Sequence, residues 1–241
     1  MPAYRSSAEA EIRDAVVERL REIRPKARIM HEVNCSLWGP NRIDVLAVSP
    51  AEIISVEVKS ERDKLDRLPA QIASMLTMSH HVIVALHEKH LVEREEPTNK
   101  WAAHYERDGI YRIKEIPQEA SGAIPWVYPE RWRAMMNVHQ GFDRLANWRH
   151  PDQVTQRANI DSIDMLRVGE MRVFCEIMGI PAGKRATLTS ILPLIKWTCT
   201  GEQITKGVCA VLRARECPEA DAPLPIQIQR QEKFMESSYN D

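Results

Sequence analysis

Three charged residues lie in two chain segments that otherwise have the apolar character of buried β-strands. Asp44 falls within "RIDVLAV", and Glu57 and Lys59 fall two residues apart within "IISVEVK". Side chains two residues apart in a strand project from the same face, so Glu57 and Lys59 point the same way. The two valines beside Glu57 then enter the opposite layer. A charged face in such a segment indicates that these side chains act together.

The short turn "SPAE" joins the two segments and makes them antiparallel neighbours, and the simplest pairing brings Asp44 close to Glu57. Two carboxylates in a low-dielectric site raise each other's pKa unless a cation lies between them. Mg²⁺ prefers oxygen ligands and would remove this penalty. Lys59 would then orient an attacking water or stabilise charge that develops on a phosphate. The pattern predicts a divalent-metal centre.

The elements that must position these residues follow from periodicity. Residues 6–23 carry apolar side chains at helical spacing, with Ser6 or Ser7 as N-cap and Pro25 as the stop. The continuous apolar run "HVIVAL" predicts a strand buried on both faces, reached through a crossover helix and parallel to an earlier strand. In all, strands are predicted at 27–34, 42–48, 53–59, 81–86 (the "HVIVAL" run) and 109–116, with a helix at 69–79.

The motif resembles the D…(D/E)-x-K signature of the PD-(D/E)XK nuclease superfamily. "RIDV" is followed by "EVK", and "VEVKSERDKLDRLPAQ" is similar to small bacterial and phage members in which E-x-K-S-x-x-D precedes R-L-x-x-Q. The similarity covers about residues 8–91. It implies an α/β fold, a restriction-endonuclease-like mixed β-sheet flanked by helices, followed here by a smaller all-α C-terminal region. Ile43 stands where the superfamily's name has proline.

The resemblance also implies roles for individual residues. Asp44, Glu57 and the carbonyl of Val58 would be metal ligands, Lys59 the catalytic lysine, and Gln71 a supporting residue at the site or on DNA. Many members carry an acidic residue on the N-terminal helix. Glu11 is the best match for it, with Glu9 close behind. The implied cofactor is Mg²⁺, for which Mn²⁺ would substitute.

A second motif lies near the C-terminus, where two apolar helical faces flank "GIPAGKR". The stretch from Leu166 to Leu192 resembles the SAP motif, a helix–extension–helix DNA-binding module. A helix is expected from about Lys184, so that Lys184 and Arg185 would add two cations to the anion site at its N-terminus. The alternative is a plain helical hairpin packed on the sheet, with the basic pair solvated.

The segment between the two motifs mixes arginines with tryptophans. Such surfaces can stack on unpaired bases, although core packing of Trp132 and Trp148 is the simpler use. The arginines of this segment are Arg131, Arg133, Arg144 and Arg149, of which Arg131, Arg133 and Arg149 are DNA-binding candidates. The expected organisation is a nuclease core at 1–118, a linker or packing segment at 119–159, a helical SAP-like region at 160–215 and an irregular acidic tail at 216–241.

Composition is that of a globular protein without a membrane span. The chain has 241 residues, 44% of them hydrophobic and 28% charged, with net charge −1. The charge is uneven: residues 1–130 carry −3, 131–215 carry +6, and 216–241 carry −4. Five cysteines without a C-x-x-C pair indicate reduced thiols, and the N-terminus lacks an apolar signal region. A cytoplasmic protein, in a bacterium or a phage-infected cell, is therefore expected.

These observations predict a Mg²⁺-dependent deoxyribonuclease, acting as an endo- or exonuclease in DNA repair, recombination or phage and host DNA processing. Two alternatives stay open: a catalytically inactive DNA-binding protein on a nuclease scaffold, and an RNA-directed nuclease. The expected partner is DNA, without an organic cofactor or a membrane. A homodimer is a further option, because cutting two strands with one site per chain favours pairing.

Overall fold

The computed structural model describes residues 6–35, 40–95, 105–129, 148–152, 160–183 and 185–226. It is an α/β fold built on a mixed five-stranded sheet with flanking helices and a helical C-terminal part. The helices are α1 (Ser7–Ile23), α2 (Leu68–Leu76), α3 (Val168–Ile177), α4 (Leu188–Thr198) and α5 (Gly201–Ala214). The strands are β1 (Arg28–Asn34), β2 (Arg42–Val48), β3 (Ile53–Lys59), β4 (His81–His87), β5 (Val92–Glu95), β6 (Tyr105–Arg107), β7 (Ile110–Glu115) and β8 (Ile124–Tyr128).

The main sheet has the order β1-β2-β3-β4-β8. The strands β1, β2 and β3 form an antiparallel meander, and β4 pairs with β3 in parallel, as the crossover through α2 predicts. The apolar run of β4 is buried on both faces because helices cover both sides of the sheet. This arrangement confirms the mixed α/β class expected from the sequence.

Two hydrophobic layers hold the sheet in place. On one face α1 packs through Ile12, Val16 and Leu20, together with the stacked pair Trp126 and Trp148, whose ring centroids lie 4.9 Å apart. On the other face α2 and the C-terminal helices form a larger cluster. Trp148 is 2% exposed, so its side chain packs in the core. All five cysteines are free.

The segment expected as a linker supplies the fifth strand of the sheet. Residues 124–128 form β8, which pairs in parallel with β4. Its proline and its turn-forming flanks suggested irregular structure, but an edge strand tolerates Pro125 because one side of the strand needs no ladder donor. The buried side chain of Trp126 anchors this edge.

A second sheet with the order β5-β7-β6 follows β4, although only its strand β7 was expected from the sequence. Asp108 and Gly109 join β6 to β7, both with positive φ (57° and 77°), as a two-residue hairpin turn requires. Ion pairs between glutamates and arginines cover this sheet, among them Arg94–Glu115 at 2.8 Å.

The helical region follows the expected order, with one boundary corrected. The second helix was expected from about Lys184, but α4 begins at Leu188 because Thr187 takes an extended N-cap conformation. Beyond α5, residues 219–221 dock along the outer edge of β1, with His31 N donating to Glu219 O at 2.8 Å. Residues 219–221 of the acidic tail are therefore fixed to the sheet, and Leu224 N donates to Arg213 O of α5 at 2.8 Å. None of the described helices is long and apolar enough to span a membrane.

Candidate metal centre

Asp44 and Glu57 meet where β2 and β3 separate. The paired residues of the two strands end at Val45 and Val56, so Asp44 and Glu57 are the next opposing residues beyond the ladder. Asp44 Oδ2 accepts a hydrogen bond from Val58 N at 2.8 Å, which places its carboxylate against β3. The separation of the strands opens a pocket of about 520 Å³, and both carboxylates line it.

Glu57 is bound on one side only. Its Oε1 accepts hydrogen bonds from Lys59 Nζ at 2.6 Å and from Gln71 Nε2 at 2.5 Å. Its Oε2 is buried and has no hydrogen-bond partner among the described residues. An unpaired buried oxygen is rare in folded proteins and calls for a missing ligand, commonly an ion or a water.

Lys59 and Gln71 form a closed triangle with Glu57. Gln71, in the first turns of α2, accepts from Lys59 Nζ at 3.0 Å through Oε1, while its amide nitrogen holds Glu57. The crossover helix therefore fixes the rotamers of both charged residues. This is how the glutamine fourteen residues after Glu57 comes to the site.

Burial and proximity shift the protonation of both acids. Burial raises the pKa of Glu57 to about 7, with a further contribution from the charge of Asp44, against the opposing effects of Lys59 and Gln71. Burial likewise raises the pKa of Asp44, opposed by the Val58 hydrogen bond and by the cations Arg13 and Lys59. Both shifts express the same cost, two buried carboxylates with too little positive charge beside them.

The donor set fits a hard divalent cation. Asp44 and Glu57 offer carboxylate oxygens, and an extended strand directs the carbonyl of a residue to the same edge as its N–H, so the Val58 carbonyl faces the Asp44 side. The free Oε2 of Glu57 is a ligand atom that no described protein group uses. Oxygen-only ligation suits Mg²⁺ or Mn²⁺, and no cysteine or histidine in the described part of the chain lines the pocket.

Of the two candidate acids on the N-terminal helix, the structure brings Glu9 to this pocket and does not bring Glu11 there. Glu9 is 7% exposed and lines the pocket. Glu11 is exposed and bonds to Tyr128 on β8, where it raises the pKa of the tyrosine after the effect of burial. Two residues along a helix turn the side chain by about 200°, so the two acids face opposite ways.

Two residues that were not predicted from the sequence, Arg13 and Glu32, join Glu9 and Asp44 in an acidic cluster of three carboxylates around one arginine. Arg13 lies one turn after Glu9 on α1 and is fully buried. Glu32, in β1, has φ 55°, an uncommon conformation that costs about 1–3 kcal/mol for a residue other than glycine. The i, i+4 spacing of Glu9 and Arg13 was a readable signal, whereas nothing in the sequence marks the conformation of Glu32.

The loop after Lys59 is closed by its own side chains. Asp63 Oδ2 accepts from Ser60 N at 2.7 Å and from Ser60 Oγ at 2.6 Å. A ring nitrogen of His90 lies 2.7 Å from the Ser60 carbonyl oxygen. The S-x-x-D part of the motif thus fixes the backbone that follows the lysine.

The rim of the pocket carries charges of both signs, from the exposed acids Asp63 and Asp66 and from two cations. Lys64 and Arg67 are exposed, line the mouth, and make no ion pair with any described residue. Arg42 lies at the same pocket but contacts Glu32. Buried acids with the exposed cations Lys64 and Arg67 beside them would suit a metal below a phosphate backbone.

The two described DNA-binding candidates, Arg185 and Arg149, do not line this pocket. Arg185 is exposed in the turn before α4, and Arg149 is exposed beside the Trp126–Trp148 stack, where its carbonyl accepts from Trp126 Nε1 at 2.8 Å. Lys184, Arg131, Arg133 and Arg144 lie outside the described residues. Trp197 of α4 is 92% exposed.

Comparison with known proteins gives one similarity. Residues 3–102 match the family model described as bacteriophage P4 protein cII. The matched stretch runs from α1 through β5 and so includes every residue of the metal centre described above. The chain is thus similar to a phage protein over about this region. No curated protein and no solved structure matches the chain.

Proposed function

We propose that the protein is a Mg²⁺-dependent deoxyribonuclease that hydrolyses phosphodiester bonds at the Asp44–Glu57–Lys59 centre. The observation that carries this proposal is the unpaired Oε2 of Glu57, buried at the floor of a pocket beside a second carboxylate. A buried carboxylate pair without a full set of partners is destabilising, and a divalent ion would compensate it.

Asp44, Glu57 and the Val58 carbonyl would hold the ion. When bound, Mg²⁺ supplies Lewis-acid polarisation of a phosphate oxygen and lowers the pKa of a coordinated water. Lys59, held 2.6 Å from Glu57, would position the attacking water or neutralise charge on the phosphate. Gln71 holds the side chains of Lys59 and Glu57 in position by hydrogen-bonding to both.

The surroundings of the centre suit a nucleic-acid backbone. Lys64 and Arg67 would bind phosphates near the bond that is cut, since their charges are not used by described acids. Arg185, before α4, and the exposed ring of Trp197, near the end of α4, would contribute further contacts through phosphate binding and base stacking. The similarity to a phage protein supports phage or host DNA as the substrate.

The test is a substrate panel assayed with Mg²⁺ or Mn²⁺: supercoiled plasmid, linear duplex, single-stranded DNA, a four-way junction and single-stranded RNA. Wild type should cut at least one DNA substrate only when metal is present. Asp44→Asn should lose at least about 100-fold in rate while it still binds DNA. Glu176→Gln, which alters an exposed acid on α3, is the matched control and should cut normally.

The other outcomes are equally informative. Binding of DNA without cleavage by wild type, together with no metal binding in calorimetry, would replace the nuclease with a DNA-binding protein on the same scaffold. Preferential cleavage of RNA would identify RNA, in place of DNA, as the substrate of the centre.

A further inference from the structure

Arg13 occupies an unusual place in the acidic cluster. Its side chain is fully buried, on the face of α1 that packs against the sheet. The carboxylates of Glu9, Glu32 and Asp44 surround it, with one oxygen of each within 4.8 Å of the others. Such spacing of three carboxylate oxygens would be open to a cation.

One nitrogen atom already fills that space. Arg13 Nη2 lies 2.7 Å from Glu9 Oε1 and 3.1 Å from Asp44 Oδ1, and it also contacts Glu32 Oε1. A second nitrogen, Nη1, donates to the main-chain oxygen of Asp44 at 3.3 Å. The guanidinium is therefore fixed among three acids by donors that cannot lose their protons at any physiological pH.

The strand is shaped to complete this arrangement. His31 and Val33 pair normally with β2, but Glu32 between them has positive φ and leaves the ladder opposite Asp44. That conformation turns the Glu32 carboxylate towards Arg13 and Arg42. Two unrelated elements, α1 and a distorted point of β1, thus converge on the same guanidinium.

We propose that Arg13 is a positioning residue that takes the place of a second divalent ion, so that the centre binds one ion only, at Asp44 and Glu57. This inference rests on the proposed metal-dependent function. The observation that supports it is the contact of one nitrogen, Arg13 Nη2, with all three carboxylates.

The balance of charge favours one ion. The four acids Glu9, Glu32, Asp44 and Glu57 face three cations, which are Arg13, Arg42 and Lys59. One divalent ion changes the net charge from −1 to +1, whereas two ions would give +3 in a largely buried place. Since uncompensated buried charge is costly, the second ion should be excluded while Arg13 stays.

The experiment is a count of bound Mn²⁺ on the full chain, by calorimetry and by electron paramagnetic resonance of the free ion. Wild type should bind one ion in the centre, and Glu57→Gln should lose it. Arg13→Met should bind two, because its three carboxylates then lack their cation, and Mn²⁺ should raise its melting temperature more than that of wild type. Arg13→Lys should still bind one.

Each result has one meaning. Two ions on wild type, the second of them lost when Glu9 or Glu32 is changed to glutamine, would overturn the role of Arg13 and leave the nuclease proposal standing. No ion on wild type would overturn the proposed function itself. If Arg13→Met does not fold without metal, it is refolded in Mn²⁺ and its bound ions are counted there, with two ions expected. A count of one for folded Arg13→Met would show that Arg13 is structural only and would overturn the inference.

Discussion

The pKa of Glu57 makes metal binding depend on pH in a range that is easily measured. With a pKa of about 7 in the metal-free protein, Glu57 is about 90% ionised at pH 8 and about 10% ionised at pH 6. A divalent ion binds the ionised form, so binding competes with the proton. We expect Mn²⁺ affinity to fall about tenfold from pH 8 to pH 6, which is about 1.4 kcal/mol.

The assay is calorimetric titration with Mn²⁺ at both pH values, in two buffers that differ in ionisation enthalpy. At pH 7 about half a proton should be released for each ion bound, because about half of Glu57 is protonated before binding. Equal affinity at pH 6 and pH 8, with no proton released, would refute the reasoning, since it would mean that Glu57 is either ionised throughout or not a ligand.

The raised pKa of Glu57 also makes the stability of the metal-free fold depend on pH. Stability should fall as pH rises, whereas metal affinity should increase. The folded-state pKa of Glu57 is raised above its ordinary value of 4.5, so protonation favours the folded state. This contribution is complete below about pH 4.5 and is lost as pH rises through about 7. Urea unfolding in EDTA should therefore show a lower midpoint at pH 8 than at pH 6, and saturating Mg²⁺ should remove the difference.

Three further predictions concern packing, the loop and the second surface. A Cβ at Gly207 would lie 2.2 Å from Phe174 Cε2, so Gly207→Ala should lower the free energy of unfolding by about 1–3 kcal/mol in urea. Gly169→Ala has open space and should be neutral or stabilising; equal effects of the two changes would contradict the packing of α5 on α3. Asp63→Ala removes both hydrogen bonds to Ser60 and should cost about 1 kcal/mol of stability, and it should slow cleavage more than Asp66→Ala; an unaltered rate would free the loop from any role in holding Lys59. Trp197→Ala should change stability by less than about 0.5 kcal/mol but weaken binding of single-stranded DNA by about 1–3 kcal/mol in fluorescence anisotropy, and unchanged affinity would remove Trp197 from the surface.

The strands and helices around the centre were predictable because periodicity and packing agree there. β2 and β3 have the expected bounds, and the short turn between them fixes a register that brings Asp44 opposite Glu57. The alternation of side chains in β3 determines that Glu57 and Lys59 share a face. Local rules were sufficient wherever one face of an element is apolar.

Other parts depended on contacts between distant residues. The strand β8 contains Pro125 and follows turn formers, and its pairing with β4 is stabilised by the buried stack of Trp126 on Trp148. The choice of Glu9 over Glu11 depends on the rotation of α1 against the sheet, which places Arg13 beside Asp44. The positive φ of Glu32 has no local signal, because the ion pairs that hold it come from α1 and β2.

The most direct test of the central claim is the cleavage of supercoiled plasmid in Mg²⁺ by wild type, Lys59→Met and Glu176→Gln, with equal folding of all three verified by circular dichroism. The proposed centre predicts metal-dependent cutting by wild type and Glu176→Gln, and a loss of about 100- to 1000-fold in Lys59→Met. Cutting by Lys59→Met at the wild-type rate would contradict the assignment of the active site.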